Sequence, residues 1–129
     1  MSLQSPLGRV LGRGSAKEGV HHWWVQRLTA VALIPLSIWF LVALLMLPLR
    51  DYDTVAAWIG RGWTPVLLIV FVLIVTWHSR LGVQVVIEDY VHKPGAKVFA
   101  LVISTFAHFL AAAIAIYAVL KLAFAGVPA

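Results

Sequence analysis

"TPVLLIVFVLIVTWHSRLGVQVVIEDYVH", residues 64–92, starts as an unbroken apolar run and ends in a tail carrying histidine, arginine and two acids. About twenty apolar residues in a helix rising about 1.5 Å per residue cross the roughly 30 Å hydrocarbon core of a bilayer. Residues 64–87 therefore read as a membrane-crossing helix. His78 and Arg80 lie inside it, where a charge near the centre costs about 2.5–3.5 kcal/mol on insertion scales, so such groups face a partner, a cofactor or a cavity.

Two further segments repeat the pattern on either side. "LTAVALIPLSIWFLVALLMLPL", residues 28–49, is long enough to span, with Pro35 as an expected kink. The breaker "HKPG" precedes a third apolar stretch at 97–124. The fold class is thus all-α and integral to the membrane, with three transmembrane helices and the termini on opposite sides. Residues 1–20, rich in Gly and Ser with Arg9, Arg13 and Lys17, form a basic N-terminal arm and not a signal peptide. Residues 21–129 form the membrane domain. The connection "RDYDTVAAWIGRGW" places Trp58 and Trp63 where an interfacial aromatic belt wants them.

Composition sets the outer bounds. The 129 residues are 62% hydrophobic and 12% charged, which leaves no room for a soluble catalytic domain beside the spans. No cysteine is present, so disulfides, thiolate-bound zinc and cysteine-ligated iron–sulfur clusters are excluded within this chain. The net charge of +5 reports orientation, not a nucleic-acid partner. Arg9, Arg13, Lys17, Arg27, Lys93 and Lys97 fall on one side and Arg50, Arg61 and Lys121 on the other. The N-terminus and the 88–97 turn are therefore expected on the cytoplasmic or matrix face. No internal repeat suggests a transporter built from inverted halves.

Depth gives His78 its interest. Ten residues from a boundary near Glu88 place it roughly 15 Å inside, where a neutral imidazole wants a metal or a hydrogen bond. His78, Gly82, Val85 and Asp89 share one helical stripe, and Gly82 removes the side chain that would block a flat ligand one turn away. That stripe suits a haem, or else an interhelical hydrogen bond with Gly82 as a packing contact. Arg80 points to another face and reads as snorkelling toward the inner headgroups, or as paired with an acid, a propionate or a lipid phosphate. His108 falls at nearly the same depth as His78 and reads as a helix–helix contact or a residue near a partner, with an intrachain bis-histidine site left open by depth alone. Asp89 and Tyr90 suit either an interfacial belt or a site needing a donor beside a carboxylate. His22 and His92 read as exposed loop residues.

These residues resemble a family. "H-x3-G-x6-D-Y", here His78, Gly82, Asp89 and Tyr90, resembles the second-helix signature of the small D-type membrane anchor of succinate dehydrogenase, complex II. "H-x5-R-x-T-A", here His21, Arg27, Thr29 and Ala30, resembles the approach to that family's first helix. The likeness covers roughly residues 19–122 and leaves the basic arm outside. It implies a bundle shared with a C-type cytochrome b anchor, carrying an iron–sulfur subunit and a flavoprotein subunit on the inner face, in a bacterial cytoplasmic or mitochondrial inner membrane. His78 would be one axial ligand of haem b, with Gly82 packing on the ring and His21 and Arg27 near the propionates. Asp89 and Tyr90 would bind ubiquinone. Succinate oxidation would occur on other subunits. The alternatives are a fumarate reductase or other cytochrome b anchor and, from a different class, a small oligomeric transporter or channel with His78 and Arg80 lining an aqueous path.

Overall fold

A computed structural model describes residues 17–125 as four helices in chain order: α1 (Lys17–Met46), α2 (Tyr52–Gly60), α3 (Thr64–Tyr90) and α4 (Pro94–Phe124). Side chains of α1 are described from Gly19 onward. The expected arm at 1–20 lies outside the described residues for most of its length. Three of the helices, over Gly19–Met46, Thr64–Tyr90 and Pro94–Phe124, are long and apolar enough to cross a membrane. The fold is all-α, as the hydropathy requires; the expected spans at 64–87 and 97–124 lie inside two of these helices, while the one at 28–49 overruns the first by three residues, because the helix stops at Met46 just ahead of Pro48.

Local chemistry explains the boundaries. Proline stands in the first turn of both α3 and α4, where its missing N–H costs nothing and its fixed φ favours the helix. Both helices end or begin on extended residues, Val91 at the end of α3 and Lys93 at the start of α4. Lys97 Nζ donates to the Glu88 carbonyl at 2.8 Å and ties the two helices across that turn. Within α1, Pro35 is carried in a continuous helix. A transmembrane helix tolerates this because neighbouring groups re-satisfy the freed carbonyl.

Two departures from the sequence reading bear on the site. The first helix begins at Lys17, so "HHWWVQR" is helical and not a loop leading into the membrane. His22 accordingly sits half-buried on a helix, which corrects the expectation that it is an exposed loop residue. The second departure is α2, a short helix in the connection between the first two spans.

α3 is the centre of the bundle. It packs against α1 on one flank and α4 on the other, while α1 and α4 do not pack on each other. Leu68, Leu81 and Ala112 are the buried apolar residues among those described, and two of the three belong to α3. Most large apolar side chains point outward, as lipid-facing or partner-facing residues of a membrane helix do, since lipid tails are as apolar as leucine. At the end opposite the 88–97 turn, α2 lies across α3 and α4. Trp58 stacks on Trp39 with centroids 5.8 Å apart, and Phe40 meets Phe71 at 5.0 Å. Gly60 permits the close approach there, because a Cβ at that position would stand 3.2 Å from the Leu122 carbonyl oxygen.

Candidate functional site

A cleft of about 620 Å³ opens between the N-terminal half of α1 and the C-terminal half of α3. α1 contributes Gly19, His22, Trp23, Gln26, Arg27 and Ala30, and α3 contributes His78, Gly82 and Val85. Its size falls within the roughly 300–1,000 Å³ usual for small-molecule and cofactor sites. The lining follows from periodicity: 19, 22/23, 26/27 and 30 recur on one face of α1, as 78, 82 and 85 do on α3.

The His78 ring is oriented by one hydroxyl. Thr29 Oγ1 lies 2.9 Å from His78 Nδ1, 2.8 Å from the Val25 carbonyl oxygen and 3.0 Å from the Gln26 carbonyl oxygen. A carbonyl only accepts, so the single Thr29 hydrogen goes to the backbone of its own helix. Thr29 Oγ1 then accepts from His78 Nδ1–H. The tautomer follows: Nε2 carries a lone pair and no proton, the form in which imidazole binds a metal with its other nitrogen held by a hydrogen bond.

His108 contrasts on the other flank of α3. Its Nδ1 donates to the Ser104 carbonyl oxygen at 2.7 Å, which leaves Nε2 to accept from Ser79 Oγ at 3.2 Å. Both ring nitrogens are engaged, and the residue joins α4 to α3. The two histidines do not converge on one cavity, since His108 is absent from the lining of the His78 cleft. Among the described residues no group of three His, Cys, Asp or Glu side chains is arranged to hold a metal ion.

The remaining site candidates divide. Arg27 lines the cleft and is exposed, with its guanidinium carbon 5.4 Å from the centre of the Trp23 ring. Trp23 in turn meets Trp24 edge-on at 5.2 Å. Gly82 forms part of the wall, and a Cβ there would make only an ordinary contact with Gln26 Nε2 at 3.7 Å. The glycine thus widens the cleft and relieves no helix–helix clash. His21 lies outside the cleft, on a separate groove with Trp77, Arg80 and Gln84. Asp89 and Tyr90 close α3, one turn beyond Val85, and both are exposed. Gln84 Nε2 donates to Glu88 Oε1 at 2.8 Å on a different face of the same terminus.

His22 and Gln26 are residues that the sequence reading missed as cleft residues. They stand one turn apart on α1, and His22 Nε2 and Gln26 Oε1 are buried without a hydrogen-bond partner. Leaving such atoms unpaired costs about 1–3 kcal/mol each, so they mark a place where a polar group is wanted. Their spacing from Thr29 along one helical face was the available signal. It is visible only once α1 is extended past the apolar run.

Comparison with known proteins supplies an independent line. Residues 1–124 match the family model described as the succinate dehydrogenase/fumarate reductase transmembrane subunit. A protein of Rickettsia conorii named succinate dehydrogenase hydrophobic membrane anchor subunit is 38% identical over 94 residues, covering 70% of this chain and 75% of the relative. Its Rickettsia bellii counterpart is 40% identical over 89 residues, covering 69% and 71%. A Paracoccus denitrificans protein of the same name is 27% identical over 122 residues, covering 95% and 94%. No solved structure matches.

Proposed function

The chain belongs to the succinate dehydrogenase/fumarate reductase transmembrane subunit family and is a multi-pass membrane anchor; from this we propose that it contributes half of a haem b site and part of a ubiquinone site in a succinate:ubiquinone oxidoreductase. The observation that carries the reading is the Thr29-oriented His78, which lines the cleft and whose Nε2 is left with a lone pair. The donor set fits a haem. A neutral imidazole supplies an axial ligand, Arg27 on its Trp23 platform supplies a cation for a propionate, and the wall is kept low by Gly82. When bound, haem b would supply one-electron storage between the iron–sulfur chain and the quinone.

The second axial ligand comes from another chain on this reading, because His108 is saturated on the wrong flank of α3. A C-type anchor is the partner the family resemblance implies, with the iron–sulfur and flavoprotein subunits docked at the same end and succinate oxidised there. Asp89 and Tyr90 stand at that end, on the rim of the stripe that carries His78 and Gly82. Quinone reduction develops negative charge on an oxygen and takes up protons. Tyr90 offers an O–H donor to that oxygen, and Asp89 a neighbouring group that can pass on a proton.

Orientation follows from the basic residues, which put the 88–97 turn and the N-terminus on the cytoplasmic or matrix side. Single cysteines at 55 and 92 should label from opposite sides, with 92 labelled from inside. Labelling of 55 from the inside would move Asp89 and Tyr90 to the wrong face and sink the quinone assignment. For the whole reading, the complex extracted in mild detergent should show a low-spin haem in the reduced-minus-oxidised spectrum. It should also contain a flavoprotein, an iron–sulfur subunit and a second anchor by mass. A haem-free oligomer of this chain alone would replace the proposal with the channel reading.

A further inference from the structure

Arg80 takes no part in the site above, yet it carries a charge well inside the expected membrane span, where a charge is costly. It stands eight residues before Glu88, about 12 Å into the membrane at 1.5 Å per residue. Its guanidinium carbon lies 5.3 Å from the centre of the Trp77 ring. Trp77 is three residues nearer the far side, so the side chain folds away from the near boundary and does not snorkel out to it. Its Nε is buried and has no hydrogen-bond partner.

The surroundings mix polar with apolar side chains and open outward from the chain. Arg80 and Gln84 floor a groove between α1 and α4, walled by His21 on one side and by Ser104 and Thr105 on the other, in two adjoining hollows of about 180 and 210 Å³. α1 and α4 do not pack together, so α3 is uncovered along this strip. No carboxylate among the described residues lines it. Asp51 and Asp53 stand at the start of α2 beyond the opposite end, while Glu88 accepts from Gln84 at the boundary and Asp89 caps the helix terminus. α4 carries no acid at all.

An arginine at this depth is retained where an acceptor meets it. Lipid phosphates sit at the boundary, and the guanidinium is turned away from it. A carboxylate at the right level is one carried on a membrane-spanning segment. We propose that the groove between α1 and α4 seats a transmembrane helix of the companion anchor chain, which presents an Asp or Glu carboxylate to Arg80. The inference rests on the shared-bundle reading and adds a second contact surface on the other side of α1 from the haem cleft, with His22 lining both.

The test uses the intact complex in native membranes. The chain has no cysteine, so Thr105→Cys is its sole thiol and carries a benzophenone maleimide into the groove. Irradiation should give an adduct with the companion chain, mapped by mass spectrometry to a spanning segment within one helical turn of an Asp or Glu. Arg80→Gln should lower recovery of assembled complex several-fold and Arg80→Lys much less. Exchanging the charges, with Arg80→Asp here and that acid changed to Arg, should restore recovery. Adducts confined to lipid, to residues 1–18 of this chain, or to a partner segment without an acid within a turn would overturn the inference, as would undiminished recovery of Arg80→Gln. The haem spectrum of the same preparation separates the two failures. Haem and companion present with an adduct elsewhere breaks only this inference, whereas absence of both breaks the shared-bundle reading on which it rests.

Discussion

His78 and His108 stand at about one depth on neighbouring helices, and both touch a hydroxyl of another helix. His78 meets Thr29 through one nitrogen and has no hydrogen bond at the other, whereas His108 spends both nitrogens, on Ser104 and Ser79. The difference lies in what the hydroxyl has left to give. Thr29 is committed to its own backbone and can only accept, while Ser79 donates. An identical side chain keeps one ring nitrogen available in one place and is a fastener in the other, through the hydrogen-bond state of its neighbour.

The largest effect should separate the two residues outright. His78→Ala in the assembled complex should abolish or strongly weaken the low-spin bis-histidine spectrum, whereas His108→Ala should leave that spectrum in place and loosen the bundle. A normal spectrum in His78→Ala would erase the distinction. Thr29→Val keeps the shape of the side chain but removes the acceptor that holds His78 Nδ1–H. Outer-shell partners of this kind are worth about 10–100-fold in affinity or activity. Haem should be retained but released faster to an acceptor such as apomyoglobin, and an unchanged release rate would show that the ring needs no orienting group.

A third test asks whether the His78 stripe continues into a quinone site at Asp89 and Tyr90. Tyr90→Phe should slow ubiquinone reduction, with loss of a donor to a charge-developing oxygen worth up to about 3 kcal/mol and less at a wet boundary. Succinate oxidation by an artificial acceptor upstream of quinone should stay near the parental rate. Asp89→Asn should act in the same direction and also alter the pH profile of quinone reduction. If fully assembled Tyr90→Phe complex reduces ubiquinone at the parental rate, Tyr90 is only an interfacial anchor. The smallest effect belongs to Ser79→Ala, which removes one donor to His108. Interhelical hydrogen bonds in membranes average about 0.6 kcal/mol, so midpoint stability should fall by about that amount with the haem spectrum unchanged. A shifted haem spectrum would show that the two histidines are coupled after all.

What the sequence made legible follows from the range of each signal. The three spans could be read because crossing a bilayer demands a long local run of apolar residues, and no distant contact overrides that demand. His78 stood out because depth is counted along one helix. The state of its ring could not be read, because it depends on Thr29, which is 49 residues away in the chain and committed to Val25 and Gln26. His22 was misplaced for a related reason. The apolar run begins at Leu28 while the helix begins at Lys17, and a polar helical turn looks like a loop to a hydropathy reading. The sequence of α2 did carry signals, with Asp51 at its N-cap and Asp53 in its first turn, but nine residues between long spans are easily absorbed into the connection.

The bond between Thr29 and His78 has a mechanical meaning. Among the described residues, the Thr29–His78 contact is the hydrogen bond that links α1 to α3. If Nε2 coordinates a metal, the ring becomes more electron-poor and Nδ1–H a better donor, so the grip on Thr29 tightens as the ligand position fills. His78 would then act as a rivet that sets only when the cofactor arrives. By mass-action linkage, the same coupling makes the seating of α1 sensitive to cofactor supply.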